Sequence, residues 1–532
     1  MSSLLTFIIP LFAAFLGFFF YSGSLPSPVF QFVASYNQHS ISPHCTSWNT
    51  WFHPSRAISK GNGVLRKKGW NIHHHLGGNG PWIEMIDDEE FGSRGIHPPE
   101  GCTVDQIHMI ARHAERYPTT SAGDRHLALM KRIEEVDVPL NGSLSFLNNW
   151  TYFTNDPSKD FNQLTSTGPY AGTLQAFTTG VRFRTRYGHL LPNNIKTRLW
   201  ASDSNRVIQT AKYFSSGLFG LDWENDGVAV LQIIPETFEQ RADTLTPGDT
   251  CLNYLEDNLQ GHDNGESMLA LFQEAYIPPI AKRLIQEEQN GGLRMLTPAE
   301  VYSMQEMCGF ETTARGSSPW CDVFTDEEWE KFAYARDVLH YYRAGPGNPY
   351  AGAMGWLWLN ATTSILRSGP DAGSIFFSFV HDGDIAPFLT ALDIFKDSNY
   401  DPNLPTTHVA KDRVWRTSSV LPMGARITLE RMTCLSPFLD QDGTFVRINI
   451  NDRIKPLPYC KSGPGGSCPL SEFVSHVRQR GTEVGEFGEV CGLEGDVGRI
   501  TFLHQENINA IRYGYRPPGG EFQGQTFYPV FF

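Results

Sequence analysis

Positive charge is in short supply in this 532-residue chain: 43 Lys and Arg stand against 57 Asp and Glu, a formal net charge of −14. Nucleic-acid affinity needs an extended basic surface that neutralises many phosphates at once, so this balance excludes a nucleic-acid partner. Metal-ligand spacings are also missing. The nine cysteines form no CxxC pair, there is no HExxH, and His73, His74 and His75 are three adjacent imidazoles that cannot all turn to one ion on regular backbone. No metal or other cofactor is therefore expected. Repeats are absent, and only one stretch approaches membrane length: residues 4–20, "LLTFIIPLFAAFLGFFF". It lacks a charge and is followed by small residues in "YSGSLPS", which reads as a secretory signal spanning 1–24 with cleavage near Ser24. Its positive n-region is missing too, which leaves an uncleaved anchor as the alternative.

What is present agrees with the secretory route. Asn141-Gly-Ser143, Asn149-Trp-Thr151 and Asn360-Ala-Thr362 are glycosylation sequons. Nine cysteines in an oxidising compartment point to disulfides, with one thiol left over. At 40% hydrophobic and 13% aromatic residues the chain is long enough to fold into more than one domain.

Residues 25–99 are rich in Gly, Pro and polar residues and read as an irregular arm. Beyond them an apolar run, a polar cluster and a helical pattern recur three times. "VDQIHMIA" leads to Arg112 and His113; "IKTRLWAS" leads to Asp203-Ser-Asn-Arg206; "SIFFSFV" leads to His381-Asp382-Gly-Asp. Each unit is a strand feeding a helix, so the expected fold is a three-layer α/β/α domain, residues 100–220 and 346–532, on a mostly parallel doubly wound sheet. The intervening 221–345 carries helix signals instead. Thr297 with Glu300, and Thr325 with Glu328, are capping boxes, and Phe324 with Trp329 forms a hydrophobic staple. This stretch is expected to be an inserted, mainly helical domain.

Ligands of open α/β sheets bind outside the carboxyl ends of the strands, where loops and helix N-termini converge. Arg112, His113, Arg116, Arg206, His381 and Asp382 should therefore share one crevice. Alone, His113 reads as a core histidine, Arg206 as a salt bridge at a helix start, and His381-Asp382 as a turn. Their recurrence after three strands is what these bland readings do not explain. Three guanidiniums aimed at one point suit an oxyanion with several oxygens, phosphate above all. Like charge from Arg112 and Arg116 should keep His113 neutral and nucleophilic. Asp382 can supply a proton to a leaving oxygen, either at acid pH or through a raised pKa, and an acid optimum follows.

With these residues in place, "RHAERYP" and the distant "HDGDI" resemble the histidine acid phosphatases, whose usual signature is Arg-His-Gly-x-Arg-x-Pro with a downstream His-Asp. The likeness runs from about Pro98 past Cys491, and is nearest to secreted fungal acid phosphatases and phytases. Supporting segments are "ASDSNRVIQTAKYF", "YYRAGPGNPYAG", "SSVLPMGARITLERMTC" and "INDRIKPLPYCKSGPGGSC". The resemblance implies that His113 becomes phosphohistidine, that Arg112, Arg116, Arg206 and His381 hold phosphate, that Asp382 protonates the departing alcohol, and that no metal takes part. It also implies disulfides Cys102–Cys434, Cys251–Cys491, Cys308–Cys321 and Cys460–Cys468, leaving Cys45 alone. One position departs from the pattern, since Ala114 stands where the family usually has glycine. A positive φ there would strain alanine, whereas a negative φ makes the methyl harmless, and retention of every charged member favours the latter.

The implied activity is a secreted, extracellular or cell-wall acid phosphatase acting on small phosphate monoesters. Ala122, Gly123 and Asp124 stand where a phytate specialist would place basic residues, so phytase is the runner-up and a silent phosphate-binding glycoprotein the non-enzymatic rival. "HDGD" as a metal-dependent phosphohydrolase site is disfavoured because it follows a β-rich run. "DQDGTF" from Asp440 lacks the remaining ligands of a calcium loop and reads as a hairpin turn.

Overall fold

A computed structural model describes residues 70–85, 97–192, 196–435 and 443–504. The chain divides between residues 53 and 54, and every described residue lies in the second unit. The signal at 1–24, Cys45 and most of the 25–99 arm lie outside the described residues.

The strands are β1 (Cys102–Arg112), β2 (Thr197–Ser202), β3 (Ala229–Ile234), β4 (Ile375–Val380), β5 (Arg426–Cys434), β6 (Gly443–Ile450), β7 (Arg453–Ile454) and β8 (Cys468–Pro469). They form one mixed sheet in the order β3-β2-β4-β1-β5-β6-β7, with β8 on β6. The core pairs β3/β2, β2/β4 and β4/β1 are parallel, as the strand–helix units lead one to expect. From β1 onward the pairing is antiparallel; between β5 and β6 the eight intervening residues are fewer than the dozen or more a parallel crossover needs. Residues 436–442, which hold the start of "DQDGTF", lie outside the described residues.

Among the described residues, helices of ten residues or more are α1 (Thr120–Glu134), α2 (Gly172–Tyr187), α3 (Asn205–Phe219), α4 (Asn264–Lys282), α5 (Pro298–Arg315), α6 (Asp326–Ala344), α7 (Ala351–Ser368), α8 (Asp382–Ala391) and α9 (Leu470–Val484). The layers follow from strand alternation. Ile107, Met109, Leu199, Phe377 and Phe379 face Phe183 of α2 and Phe214 of α3 in one apolar cluster. Ile110, Trp200, Phe376 and Val380 face the other way, into the cluster holding Leu366 of α7, Phe388 of α8 and Phe473 of α9. Burial on both faces explains why these strands read as continuous apolar runs rather than alternating ones.

The second cluster continues from the sheet into Met304, Trp329 and Phe332 of the helical stretch. Both capping boxes are present, with Thr297 on α5 and Thr325 on α6 accepting from the N3 amides and the N3 glutamates accepting in return. Phe324 and Trp329 meet edge to face at 5.3 Å between ring centres. Strand β3 lies inside the 221–345 stretch yet belongs to the sheet, so the helical elements begin only after Ile234.

Four disulfides join Cys102–Cys434, Cys251–Cys491, Cys308–Cys321 and Cys460–Cys468. Cys102 and Cys434 are direct partners in the β1/β5 ladder. Asn141, Asn149 and Asn360 are all exposed. The three consecutive histidines occupy a 3-10 turn, Ile72–His75, and diverge: His75 stacks on Trp70 at 4.0 Å, while His73 is buried edge-on to Tyr170. Burial pushes His73 and His75 down to about 4.

Candidate active site

Parallel pairing sets the site. Arg112 and Val380 are register partners at the carboxyl ends of β1 and β4, so the next residues, His113 and His381, emerge side by side. Their ring centres lie 5.7 Å apart. The adjacent pair does the same for two more groups: Ser202 ends β2 opposite Ile234 of β3, delivering Arg206 in the first turn of α3 and Glu236 just beyond β3. The crevice expected from three polar clusters thus contains four.

His113 is buried and its backbone is held twice, its N–H donating to Val380 O at 3.0 Å and its carbonyl accepting from Gly424 N at 2.8 Å. Its Nδ1 lies 2.9 Å from Ala114 O, and since a carbonyl only accepts, Nδ1 carries the proton. The lone pair therefore resides on Nε2. Burial first, and then Arg112, Arg206 and Arg116, hold the ring well below the usual histidine range, so it is neutral. Ala114 is not among the positive-φ residues; its N–H donates to Thr210 Oγ1 at 3.0 Å and it packs with Leu164 and Ala176. The methyl is accommodated without left-handed strain.

The three arginines are partly tied down. Arg112 Nη1 donates to Gly78 O at 2.8 Å and Leu421 O at 2.6 Å, and Nη2 pairs with Asp382 Oδ2 at 3.0 Å. A Cβ at Gly78 would come within 3.0 Å of Arg112 Nη1, so glycine lets the arm's backbone reach this guanidinium. Arg116 Nη1 donates to Tyr117 O at 2.8 Å, and Arg206 Nη2 donates to His381 Nδ1 at 3.2 Å. The buried Nε–H of Arg112, Arg116 and Arg206 has no hydrogen-bond partner among the described residues. Burial and the charges of Arg112 and Arg206 push Arg116 down to about 9. Unsatisfied donors and crowded like charge are both relieved by an anion with several oxygens.

Asp382 begins α8. Burial alone would raise its carboxyl, but Arg112, with smaller contributions from His340 and Arg343, holds it well below the ordinary carboxylate range. The free site therefore keeps Asp382 ionised, and of the two routes to a protonated donor the raised pKa is not the one realised here.

Five residues at this edge were not foreseen. Glu236 Oε1 accepts from His381 Nε2 at 2.8 Å. Glu115, inside the motif itself, is buried and pushed up to about 7 by desolvation, with Oε1 accepting from Trp82 N at 2.7 Å. Arg336, His340 and Arg343 recur at i, i+4 and i+7 on α6, one helical face, with Arg336 Nη2 donating to His340 Nε2 at 3.0 Å. Sequence held a signal for Glu236, two residues past the apolar run "VLQII", but only a three-residue 3-10 turn, Phe238–Gln240, follows that strand closely, so it does not repeat the strand–helix pattern.

Residues 103–451 match the profile of the histidine phosphatase superfamily, branch 2. The chain belongs to that superfamily. A phytase of Candida albicans is 35% identical over 429 residues, 80% of this chain and 87% of its own. An acid phosphatase of Komagataella pastoris is 34% identical over 431 residues, again 80% of this chain and 87% of its own. The crystal structure of the phytase from D. castellii superposes with a TM-score of 0.74 at 31% identity, covering 85% of this chain and 94% of that one. This branch-2 histidine phosphatase shares its fold, at 16% identity and a TM-score of 0.57, with a multiple inositol polyphosphate phosphatase of Bifidobacterium longum. Among the described residues no helix is long and apolar enough to cross a membrane.

Proposed function

We propose that this chain is a secreted acid phosphatase that hydrolyses phosphate monoesters through a phosphohistidine on His113. The observation that carries the reading is the neutral His113, its Nε2 lone pair free of the Nδ1 hydrogen bond, beside three arginines whose Nε–H groups are unsatisfied. Arg112, Arg116, Arg206 and His381 would bind the phosphoryl oxygens, and the N-terminus of α8 adds its dipole.

In the first half-reaction Nε2 attacks phosphorus, the P–O ester bond breaks, and the leaving oxygen takes a proton from Asp382. In the second, water gives a proton back to Asp382 as it attacks phosphorus and the P–N bond breaks, releasing inorganic phosphate. Asp382 is ionised in the free site because of Arg112. Incoming phosphate offsets that guanidinium's charge, which lets the carboxyl take its proton once substrate is bound, most readily at acid pH.

One feature favours a phytase as the second reading. Arg336 and Arg343 on α6 add guanidiniums near Asp382 from a direction the "RHAERYP" segment does not supply, while burial and Arg336 hold His340 between them well below the usual histidine range. A substrate with several phosphates would use them.

The test is turnover of p-nitrophenyl phosphate from about pH 3 to 8 with chelator present, together with a base quench after a pulse of phosphorus-labelled substrate. Acid-optimal, chelator-resistant turnover with label retained by the native chain and absent from His113→Ala supports the proposal. Turnover or labelling that survives in His113→Ala overturns it.

A further inference from the structure

His381 is held from both sides. Arg206 Nη2 lies 3.2 Å from Nδ1, and because a guanidinium cannot accept, Nδ1 accepts. Glu236 Oε1 lies 2.8 Å from Nε2, and burial's upward push on this carboxyl is outweighed by the bond to His381, so Glu236 is charged and Nε2–H donates. The ring therefore turns Nδ1, not Nε2, toward Arg206. In that form it has no proton to offer a phosphate oxygen.

We propose that Glu236 is the positioning residue for phosphate binding: it fixes His381 through Nε2–H so that Nδ1, on taking up one proton, leaves Arg206 and donates to a substrate oxygen. This deepens the phosphatase reading and rests on it. The proton balance is simple. A phosphate monoester loses its second proton at a pKa of about 6, so the monoanion can hand that proton to Nδ1, leaving a dianion bound to an imidazolium; at lower pH solvent supplies it. No bond to phosphorus changes in this step. Arg206, freed of Nδ1, turns the same N–H to a second phosphate oxygen, and Glu236 balances the new positive charge across the ring.

The other charged groups facing His381 do not take over this task. His113, on the end of β1, is held neutral, and Asp382, next in its own helix, is committed to Arg112. Asp384, whose Oδ2 accepts from His381 N at 2.9 Å, is pushed well above its ordinary value by burial, and Asp249, beyond β3, is also raised by burial. Of the two, Asp384 is the one favoured as a neutral acid, and Asp249 makes no hydrogen bond to the His381 ring among the described residues. Glu236 is thus the charged carboxylate bonded to the ring.

The experiment follows kcat/KM for p-nitrophenyl phosphate against pH in the native chain, Glu236→Gln and Glu236→Asp, with inorganic phosphate binding to His113→Ala and His113→Ala/Glu236→Gln measured by calorimetry. Losing the carboxylate should move the alkaline limb of kcat/KM to lower pH by about one unit, read as about a tenfold loss near pH 6 that shrinks as pH falls. Glu236→Asp keeps the charge and should keep the native limb. Phosphate should bind the double variant more weakly than His113→Ala, and again mainly at the higher pH values. Glu236→Gln should still label His113. An unmoved limb, a loss equal at every pH, or a limb in Glu236→Asp that moves as far as in Glu236→Gln overturns the proposal. Failure of the phosphohistidine reading appears separately, as activity or labelling in His113→Ala.

Discussion

Replacing Asp382 by asparagine separates its two roles. As general acid it is worth about 10²–10⁴-fold in rate, or about 3–5 kcal/mol at 1.36 kcal/mol per decade. As the partner of a buried arginine it also holds charge, with Oδ2 3.0 Å from Arg112 Nη2 and side-chain exposures of 20% and 1%. Losing one member of such a pair costs about 3–5 kcal/mol in stability. Residual exposure of Asp382 and the two carbonyls on Arg112 Nη1 place this case at the lower end. Asp382→Asn should therefore lose about 10²–10⁴-fold in kcat on an alkyl ester such as glycerol 2-phosphate, and far less on p-nitrophenyl phosphate, whose phenolate leaves without a proton. Inorganic phosphate should inhibit it at least as well as it inhibits the native chain, because Arg112 is left uncompensated. In urea titrations the variant should be less stable at neutral pH. The folded pKa of Asp382 is depressed, so its stabilising contribution is present above the unfolded value and disappears as pH falls through the folded one; the gap between variant and native should narrow only in strong acid. Equal losses on both esters would refute the general-acid assignment.

Glu115 titrates in the opposite sense. Its folded value of about 7 lies above the unfolded value of 4.5, so its contribution is complete below pH 4.5 and lost as pH rises through 7. Stability should fall by up to about 3 kcal/mol across that window, and Glu115→Gln should flatten the curve in chemical denaturation. Ala114→Gly should keep turnover within about twofold while losing about 1–2 kcal/mol, from backbone entropy and one buried methyl; a large gain in activity would mean the alanine strains the loop. Trp82 is 1% exposed and its ring centre lies 5.5 and 4.2 Å from the guanidinium Cζ atoms of Arg182 and Arg426. Trp82→Ala should cost about 3–5 kcal/mol and raise KM for phosphate esters, since residues 77–82 bring Gly78 O to Arg112; an unchanged melting temperature would show that the arm is dispensable.

Much of the fold was readable because the parallel strands are buried on both faces and each feeds a helix, so apolar runs and caps mark them directly. The same periodicity located Arg112, His113, Arg206, His381 and Asp382, since Arg112 ends its strand and the others sit one to four residues past a strand end. Glu236 escaped because β3 feeds a loop. The antiparallel wing escaped because pairing direction depends on which strands become neighbours, and nothing local in "RITLERMTC" records that it will lie beside β1.

The charge state of the site belongs to tertiary structure alone. The chain order by itself determined which residue types reach the carboxyl edge of the sheet, and that three arginines meet a histidine there. Only folding placed Arg112 against Asp382, Glu236 against His381, and Ala114 O against His113 Nδ1. Coulomb attraction and desolvation depend on distances of a few ångströms, for Arg112–Asp382 and Glu236–His381 between segments more than a hundred residues apart and for His113–Ala114 on the local backbone turn that packing imposes, so which carboxyl is ionised, and which imidazole nitrogen carries the proton, is decided by packing rather than by sequence.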